Sequence, residues 1–409
     1  MKIIIIGGGI AGSTAYLELK KHLPPHSHEQ ESGHENEIKI YEAYDTEVNT
    51  IHADHNDNGN TIGDSSDGNG DTRSTLVVGG GLGLFPNGLN VLKRLNVDIL
   101  ADVVRGGYAI AHQDLRSKNG TLLVRLDCTA NPDQDPDVDA NGKRMHLLGT
   151  SRHSLWSSLW MRIPECDIET KRRNEVHFVD GSSSVEADLV IGADGVKGIT
   201  KRALFPEQED IYEPEYQGLV GVGGFISTEE VRGLVEKGSM NSLFGGNGFF
   251  GYFFSNSAPS APNRDSIYHT SNWNDPVLQK ILRSLDVKSM YPTWTSPRLS
   301  TWERDGVVLV GDAAHALPST SGQGSSQALE DVEAFAILLG HFIRGLYSIL
   351  EDAQRKQNSK RGMGVIAEYA MYCVMWIAGC FPAMMSRPLK RVINHDISKE
   401  INDYIKRQE

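Results

Sequence analysis

Ile3-Ile4-Ile5-Ile6-Gly7-Gly8-Gly9-Ile10-Ala11-Gly12 is the stretch whose reading decides the fold. Four consecutive β-branched residues without polar alternation read as a strand buried on both faces, as in a parallel sheet. The glycines that follow have the spacing Gly7-x-Gly9-x-x-Gly12. Gly7 permits a tight turn, Gly9 lets the backbone approach a pyrophosphate, and Gly12 lets the next helix pack closely. That helix reads from Ser13 to His22, with Ile10 and Ala11 supplying amides at its anion-facing N-terminus. Ile38 to Glu42 is the next strand and closes a βαβ unit. Glu42 is placed to accept hydrogen bonds from a ribose diol, and its charge disfavours a 2′-phosphate. The unit therefore reads as a site for FAD or NAD rather than NADP. Glu42 lies further from Gly12 than the usual ~20 residues, and the polar loop Pro24–Glu37 accounts for the excess.

A second strand–turn–helix comes late in the chain. Val307 to Val310 is a strand, Gly311-Asp312-Ala313-Ala314-His315 is the turn, and Pro318 and Gly322-Gln323-Gly324 lead into a helix over Ser325–Leu339. Asp312 suits a polyol hydroxyl. Gly322, Gly324, Ser325 and Ser326 bring backbone N–H groups to a helix start, where negative charge is stabilised. A reduced flavin carries such charge at its N1–C2=O edge. Between the two turns, Asp188-Leu189-Val190-Ile191-Gly192-Ala193-Asp194-Gly195 reads as a strand ending in a further turn.

The rest of the composition bounds what the protein does. Lys and Arg number 40 against 53 Asp and Glu, a net charge of −13. That balance argues against nucleic acid as a partner. Four cysteines without a CxxC pair argue against a disulfide scaffold or a zinc ribbon. Asp54-x-Asn56-x-Asn58-Gly59 begins like a calcium loop, but Ser65 stands where a bidentate Glu is required, so no metal is expected. The segment 49–74 is dominated by Asp, Asn, Gly and Ser and reads as a mobile polar insertion. The N-terminal apolar run is too short for a secretory signal, and a cytoplasmic protein is expected. Residues 369–385 are uncharged and sit at the lower end of the ~17–25 residues that span a bilayer. Pro382 interrupts them, and a buried helix is preferred over membrane contact.

With these three motifs in order, the chain resembles the class A flavoprotein monooxygenases, the p-hydroxybenzoate and salicylate hydroxylase superfamily. The stretch GDAAHALPSTSGQGSSQALEDVEAF is most similar to the fungal salicylate-hydroxylase-like branch. The resemblance runs from residue 2 to about 345, apart from the insertions. It implies that FAD is held by Gly7, Gly9, Ile10, Ala11, Gly12, Glu42, Gly80, Arg152, Asp194, Gly311, Asp312, Pro318, Gly322, Gly324, Ser325 and Ser326. It also implies NADPH or NADH as a transient reductant, and a flavin C4a-hydroperoxide that passes oxygen from O2 to an electron-rich substrate. Two departures stand out. Gly198 and Lys201 occupy positions where the family has Ser and Arg, and Ala43-Tyr44 replace the Arg that often follows the ribose-binding Glu.

The resemblance implies an α/β fold, a Rossmann-like FAD-binding domain with an inserted, mainly antiparallel substrate domain and a helical C-terminus. The expected division is 1–106, 143–203 and 299–345 for FAD, 107–142 and 204–298 for substrate, and 346–409 for the C-terminal region. The expected reaction is hydroxylation or epoxidation of an aromatic, phenolic or prenylated small molecule in secondary metabolism. An FAD-dependent reductase or dehydrogenase on the same fold is the alternative. Aromatic runs such as Phe249–Phe254 suit a flat substrate, and Tyr216, Tyr252 and His269 are candidate pocket residues. No catalytic base is singled out.

Overall fold

The computed structural model describes residues 1–24, 36–43, 81–128, 146–170, 187–205, 213–245, 248–255, 264–268, 273–284, 289–318 and 321–358, with 402 and 405. Gly80, His269, the segment 49–74 and the run 369–385 lie outside them. In chain order the elements are β1 (Lys2–Ile6), α1 (Ile10–His22), β2 (Glu37–Glu42), β3 (Gly81–Leu84), α2 (Pro86–Leu95), α3 (Val97–Arg105), β4 (Gly107–Ile110), β5 (His112–Ser117) and β6 (Leu122–Asp127). They continue with β7 (Leu147–Ser151), α4 (Arg152–Trp160), β8 (Ile168–Thr170), β9 (Leu189–Gly192), α5 (Thr200–Leu204), β10 (Glu215–Phe225), β11 (Ser239–Gly245) and β12 (Gly248–Phe253). The last are β13 (Arg264–Tyr268), α6 (Pro276–Ser284), β14 (Ser289–Thr295), β15 (Glu303–Arg304), β16 (Val307–Leu309), α7 (Asp312–His315) and α8 (Gly324–Asn358).

The largest sheet has the order β15-β16-β9-β1-β2-β8 and is parallel except at the β15 edge. Ile3, Ile4 and Ile5 are all buried whatever their parity, as a strand covered on both faces requires. β1 lies between β2 and β9, so successive connections leave it in opposite directions. That makes its C-terminal end a topological switch point, where open α/β sheets bind ligands. Because β1, β2, β9 and β16 are parallel, Gly7, Glu42, Asp194 and Gly311 gather at this one edge.

Two helices differ from the sequence reading. α1 starts at Ile10 rather than Ser13, with Gly9 as its extended N-cap. α8 continues through Gly340 to Asn358 instead of stopping near Leu339. Gly340 is not a terminator but a point of close approach, since a β-carbon there would lie 2.4 Å from the His22 carbonyl oxygen of α1. Tyr16, Leu19, Val332 and Ala336 share one core with β1 and β2. α3 is capped by Asn96, whose side chain accepts from the Asp98 N–H at 2.7 Å.

A second sheet, β12-β11-β5-β6, is antiparallel except where β11 meets β5. α6 closes one of its faces through Leu278 and Ile281, which pack with Leu243, Phe250 and Tyr252. Two three-stranded sheets, β13-β10-β14 and β3-β7-β4, complete the strands described. Among the described residues, no helix is long and apolar enough to cross a membrane.

Candidate functional site

Gly7 adopts φ +100°, a conformation that strains any residue with a β-carbon. A β-carbon on Gly12 would lie 1.9 Å from the Gly7 carbonyl oxygen. On Gly8 it would meet the Trp160 ring at 2.5 Å. On Gly9 it would meet nothing within 4 Å. The turn is thus packed against protein on three sides and open at Gly9, the side from which a ligand approaches. No side chain caps α1, and its first turn holds no acidic residue, so its leading amides face that opening. Glu42 is buried, and its Oε2 accepts from the Gly8 N–H at 2.6 Å, which anchors the carboxylate beside the turn.

Two tryptophans that the sequence did not single out support this turn from α4. Trp156 donates Nε1–H to the Gly8 carbonyl at 2.9 Å, and its ring stacks on Trp160 at 5.4 Å. Arg152 is the first residue of α4 and is exposed, while Ser151 caps the helix by accepting from the Ser154 N–H.

The second turn closes directly on the first. Gly311 has φ +58°, and a β-carbon there would sit 3.0 Å from that of Ala11 and 3.2 Å from that of Ala328. Asp312 is exposed at the start of α7, and among the described residues no ion-pair partner engages its carboxylate. A β-carbon on Gly324 would be 3.8 Å from Asp312 Oδ1, so α8 begins beside the same opening. Ser325 is half-buried and Pro318 exposed. Ser326 is fully buried, and its Oγ accepts from the Phe85 N–H at 3.2 Å. Phe85 also lies against Gly322, whose β-carbon would be 3.4 Å from the ring.

His315 and Asp331 tie α7 to α8. The imidazole Nε2 lies 2.5 Å from Asp331 Oδ2, which also accepts from the Gly311 N–H at 3.2 Å. Burial opposes a charge on His315, but the Asp331 carboxylate overrides it and lifts the imidazole to about 9. His315 is therefore an imidazolium at neutral pH.

The Asp194 turn explains one departure from the family pattern. Asp194 Oδ2 accepts from the Thr200 N–H at 2.9 Å and its hydroxyl at 2.7 Å. A β-carbon on Gly198 would lie 2.1 Å from the Asp194 carboxyl carbon, so a serine there would displace the carboxylate, and Thr200 supplies the hydroxyl. Thr200→Val keeps the shape and removes the bond. A hydrogen bond to a charged group contributes about 1.5–3 kcal/mol, and urea unfolding should show a loss within that range. Lys201 is buried, and its ammonium donates to the Val196 carbonyl at 2.9 Å and reaches Ser296 Oγ at 3.5 Å. Desolvation lowers its pKa. The Asp194 carboxylate thus bonds within its own turn, and its backbone is the part that borders Gly7.

Of the three pocket candidates, the two that are described, Tyr252 and Tyr216, are not brought together. Tyr252 is buried in the core against α6, on the face away from Phe85. Tyr216 is exposed on β10, its ring 5.5 Å from that of Trp294, over which the Lys197 ammonium sits at 4.2 Å. His269 is outside the described residues.

The cradle around Gly9, the uncapped start of α1, the anchored Glu42 and the unpaired Asp312 fit a molecule with a diphosphate, a ribose and a polyol chain. Comparison with known proteins agrees. The family described as FAD binding domain matches residues 276–358. The 3-amino-4-hydroxybenzoate 2-monooxygenase PtnB3 of Streptomyces platensis is 25% identical over 296 residues, 64% of this chain and 70% of that protein. The FAD-dependent urate hydroxylase of Klebsiella pneumoniae is 27% identical over 375 residues, 84% of this chain and 82% of that protein. A salicylate hydroxylase solved with its substrate superposes with a TM-score of 0.60 at 18% identity, over 98% of this chain and 97% of that one.

Proposed function

We propose, for a chain that belongs to the class A FAD-dependent monooxygenases, that it uses NADH or NADPH and O2 to insert one oxygen atom into an electron-rich aromatic or phenolic small molecule. The observation that carries this is the meeting of two glycine turns, Gly7–Gly12 and Gly311–Asp312, at the contact of Ala11 with Gly311. One turn alone binds many dinucleotides. Two turns at the same edge of one sheet, on β1 and β16 either side of β9, the second carrying a carboxylate and leading to α8, suit a dinucleotide with a polyol and an electron-accepting ring.

Bound FAD supplies the hydride acceptance and oxygen activation that side chains lack. In this reading the chain's own residues do the rest. The start of α1 holds the diphosphate, Glu42 accepts from the ribose, and Asp312 accepts from the polyol. The start of α8, at Gly324–Ser326, stabilises negative charge on the reduced ring. Phe85, packed with Leu147 and Met240, keeps water from the ring. The sheet β12-β11-β5-β6 with α6 forms the substrate side, and the C-terminal edge of the largest sheet forms the FAD side. A cytoplasmic location fits this chemistry, since reduced nicotinamide dinucleotides are supplied there.

Incubation with 18O2, NADH and a competent aromatic should leave one labelled atom in the product and the other in water. A desaturated product, or one labelled from solvent, would replace this reading with a dehydrogenase. Asp312→Ala should weaken FAD binding by roughly 10–150-fold, the loss of about 1.5–3 kcal/mol in a charge-assisted hydrogen bond. Apoprotein stability should change little, because among the described residues the Asp312 carboxylate makes no ion pair and acts on His315 and Lys201 only through space. Titration by flavin fluorescence and thermal unfolding of the apoprotein separate the two effects.

A further inference from the structure

Among the described residues, no helix packs against one face of the sheet β12-β11-β5-β6. Its register sets Met240 opposite Phe253 and Gln113, Ser242 opposite Gly251, and Phe244 opposite Phe249. Residues directly opposite share a face, so these side chains lie together. The face turns toward the cofactor turns, because Met240 and Phe253 pack with Phe85, whose ring borders Gly322. Phe244 nevertheless remains 46% exposed and Val124 of β6 45% exposed. Exposed apolar surface on the same sheet face as the Met240–Phe253 contact with Phe85 is the kind of surface that walls a ligand cavity.

Gln113 is the longest polar side chain on this wall among the described residues. Gln113 donates Nε2–H to Ser242 Oγ at 3.1 Å. Ser242 is fully buried, so the bond fixes the carboxamide and leaves its oxygen as an acceptor without a protein partner among the described residues. The cations of this sheet are elsewhere. Arg116 and Arg125 lie on the opposite face, both held by the buried carboxylate of Asp114. Among the described residues of β5, β6, β11 and β12, the open face carries no Lys, Arg or His.

We infer that Gln113 is a specificity-determining residue, accepting a hydrogen bond from the O–H or ring N–H of a neutral, planar aromatic substrate, and that this wall rejects aromatic carboxylates. The inference rests on the monooxygenase reading and names the substrate class of that same site. An apolar wall receives a flat ring, an acceptor oxygen requires a donor on it, and an unpaired carboxylate there would lose its hydration without compensation.

The test uses FAD-loaded enzyme and three probes, 1-naphthol, naphthalene and 1-naphthoate, titrated through the change in flavin absorbance. 1-Naphthol should bind about tenfold tighter than naphthalene, and 1-naphthoate at least tenfold more weakly than 1-naphthol. In Gln113→Leu the order of 1-naphthol and naphthalene should reverse, with flavin content unchanged. Ser242→Ala, which releases the carboxamide, should reduce the preference without abolishing it. Binding of 1-naphthoate as tight as that of 1-naphthol, survival of the naphthol preference in Gln113→Leu, or failure of all three probes to bind would each overturn the inference. Wild-type selectivity alone decides the matter if the variants do not fold. Label from 18O2 separates the two claims. The expected selectivity without oxygen incorporation overturns the monooxygenase reading, whereas incorporation into 1-naphthoate overturns only the role of Gln113.

Discussion

Gly12→Ala protein should purify colourless. The added β-carbon would lie 1.9 Å from the Gly7 carbonyl oxygen, a backbone atom that no side-chain rotation moves. Relief requires α1 to withdraw from β1 by more than 1 Å, which carries the amides of Ile10 and Ala11 away from the Gly9 opening. The same withdrawal disturbs Ala11 against Gly311, so both cofactor turns lose their spacing at once. Overpacking of this kind costs about 1–3 kcal/mol and occasionally more. The effect on FAD should exceed it, because several contacts shift together and loss of affinity beyond roughly a hundredfold follows. The ratio of absorbance at 450 to that at 280 nm measures flavin content, and circular dichroism reports the fold. Full flavin content in soluble Gly12→Ala protein would show that this turn does not hold the cofactor.

Asp331→Asn should uncouple α7 from α8 and remove a pH-dependent part of the stability. His315 titrates at about 9 in the folded protein against 6.5 for the free side chain. A raised value means that the folded state holds the proton more tightly than the unfolded chain. The contribution is therefore complete below about 6.5 and is lost as pH rises through 9. A shift of this size corresponds to about 3 kcal/mol, and the His315 side chain is only 17% exposed, so little is lost to solvent screening. Wild-type protein should lose stability and FAD together between pH 7 and 10. In Asp331→Asn that slope should flatten, with a loss of about 3 kcal/mol at pH 6, because burial without the carboxylate leaves the imidazole neutral. Urea titrations at pH 6, 8 and 10 measure both. A wild-type profile without that slope would show that the pair does not govern stability.

The local motifs were legible because their physics is local. Gly7, Gly9 and Gly12 act through their own backbone and one adjoining strand and helix, and the turn at Gly311–Asp312 is equally self-contained. The contacts that stabilise these turns were not legible, since they join distant residues. Trp156 meets Gly8 across 148 positions and Phe85 meets Ser326 across 241. Nothing near Trp156 signals that its indole N–H supports a glycine carbonyl.

The substrate side shows the same division more sharply. The run Phe249–Phe254 announced an aromatic strand, and Tyr252 looked like its polar member. A strand alternates faces residue by residue, so Tyr252 and its neighbours Gly251 and Phe253 point oppositely. Which of them faces the cofactor turns depends on where α6 packs and on the pairing of Met240 with Phe253. Gln113, in a different strand, carried no sequence signal at all. The first βαβ unit and the two glycine turns were thus determined by sequence alone, because backbone freedom and unbroken apolar runs act within a few residues, while the choice of FAD came from the family resemblance and the order of strands from the structure. The sheet face that turns toward the glycine turns and the ion pair joining α7 to α8 were decided only by tertiary structure, because each depends on which distant elements bury which side of a sheet or helix.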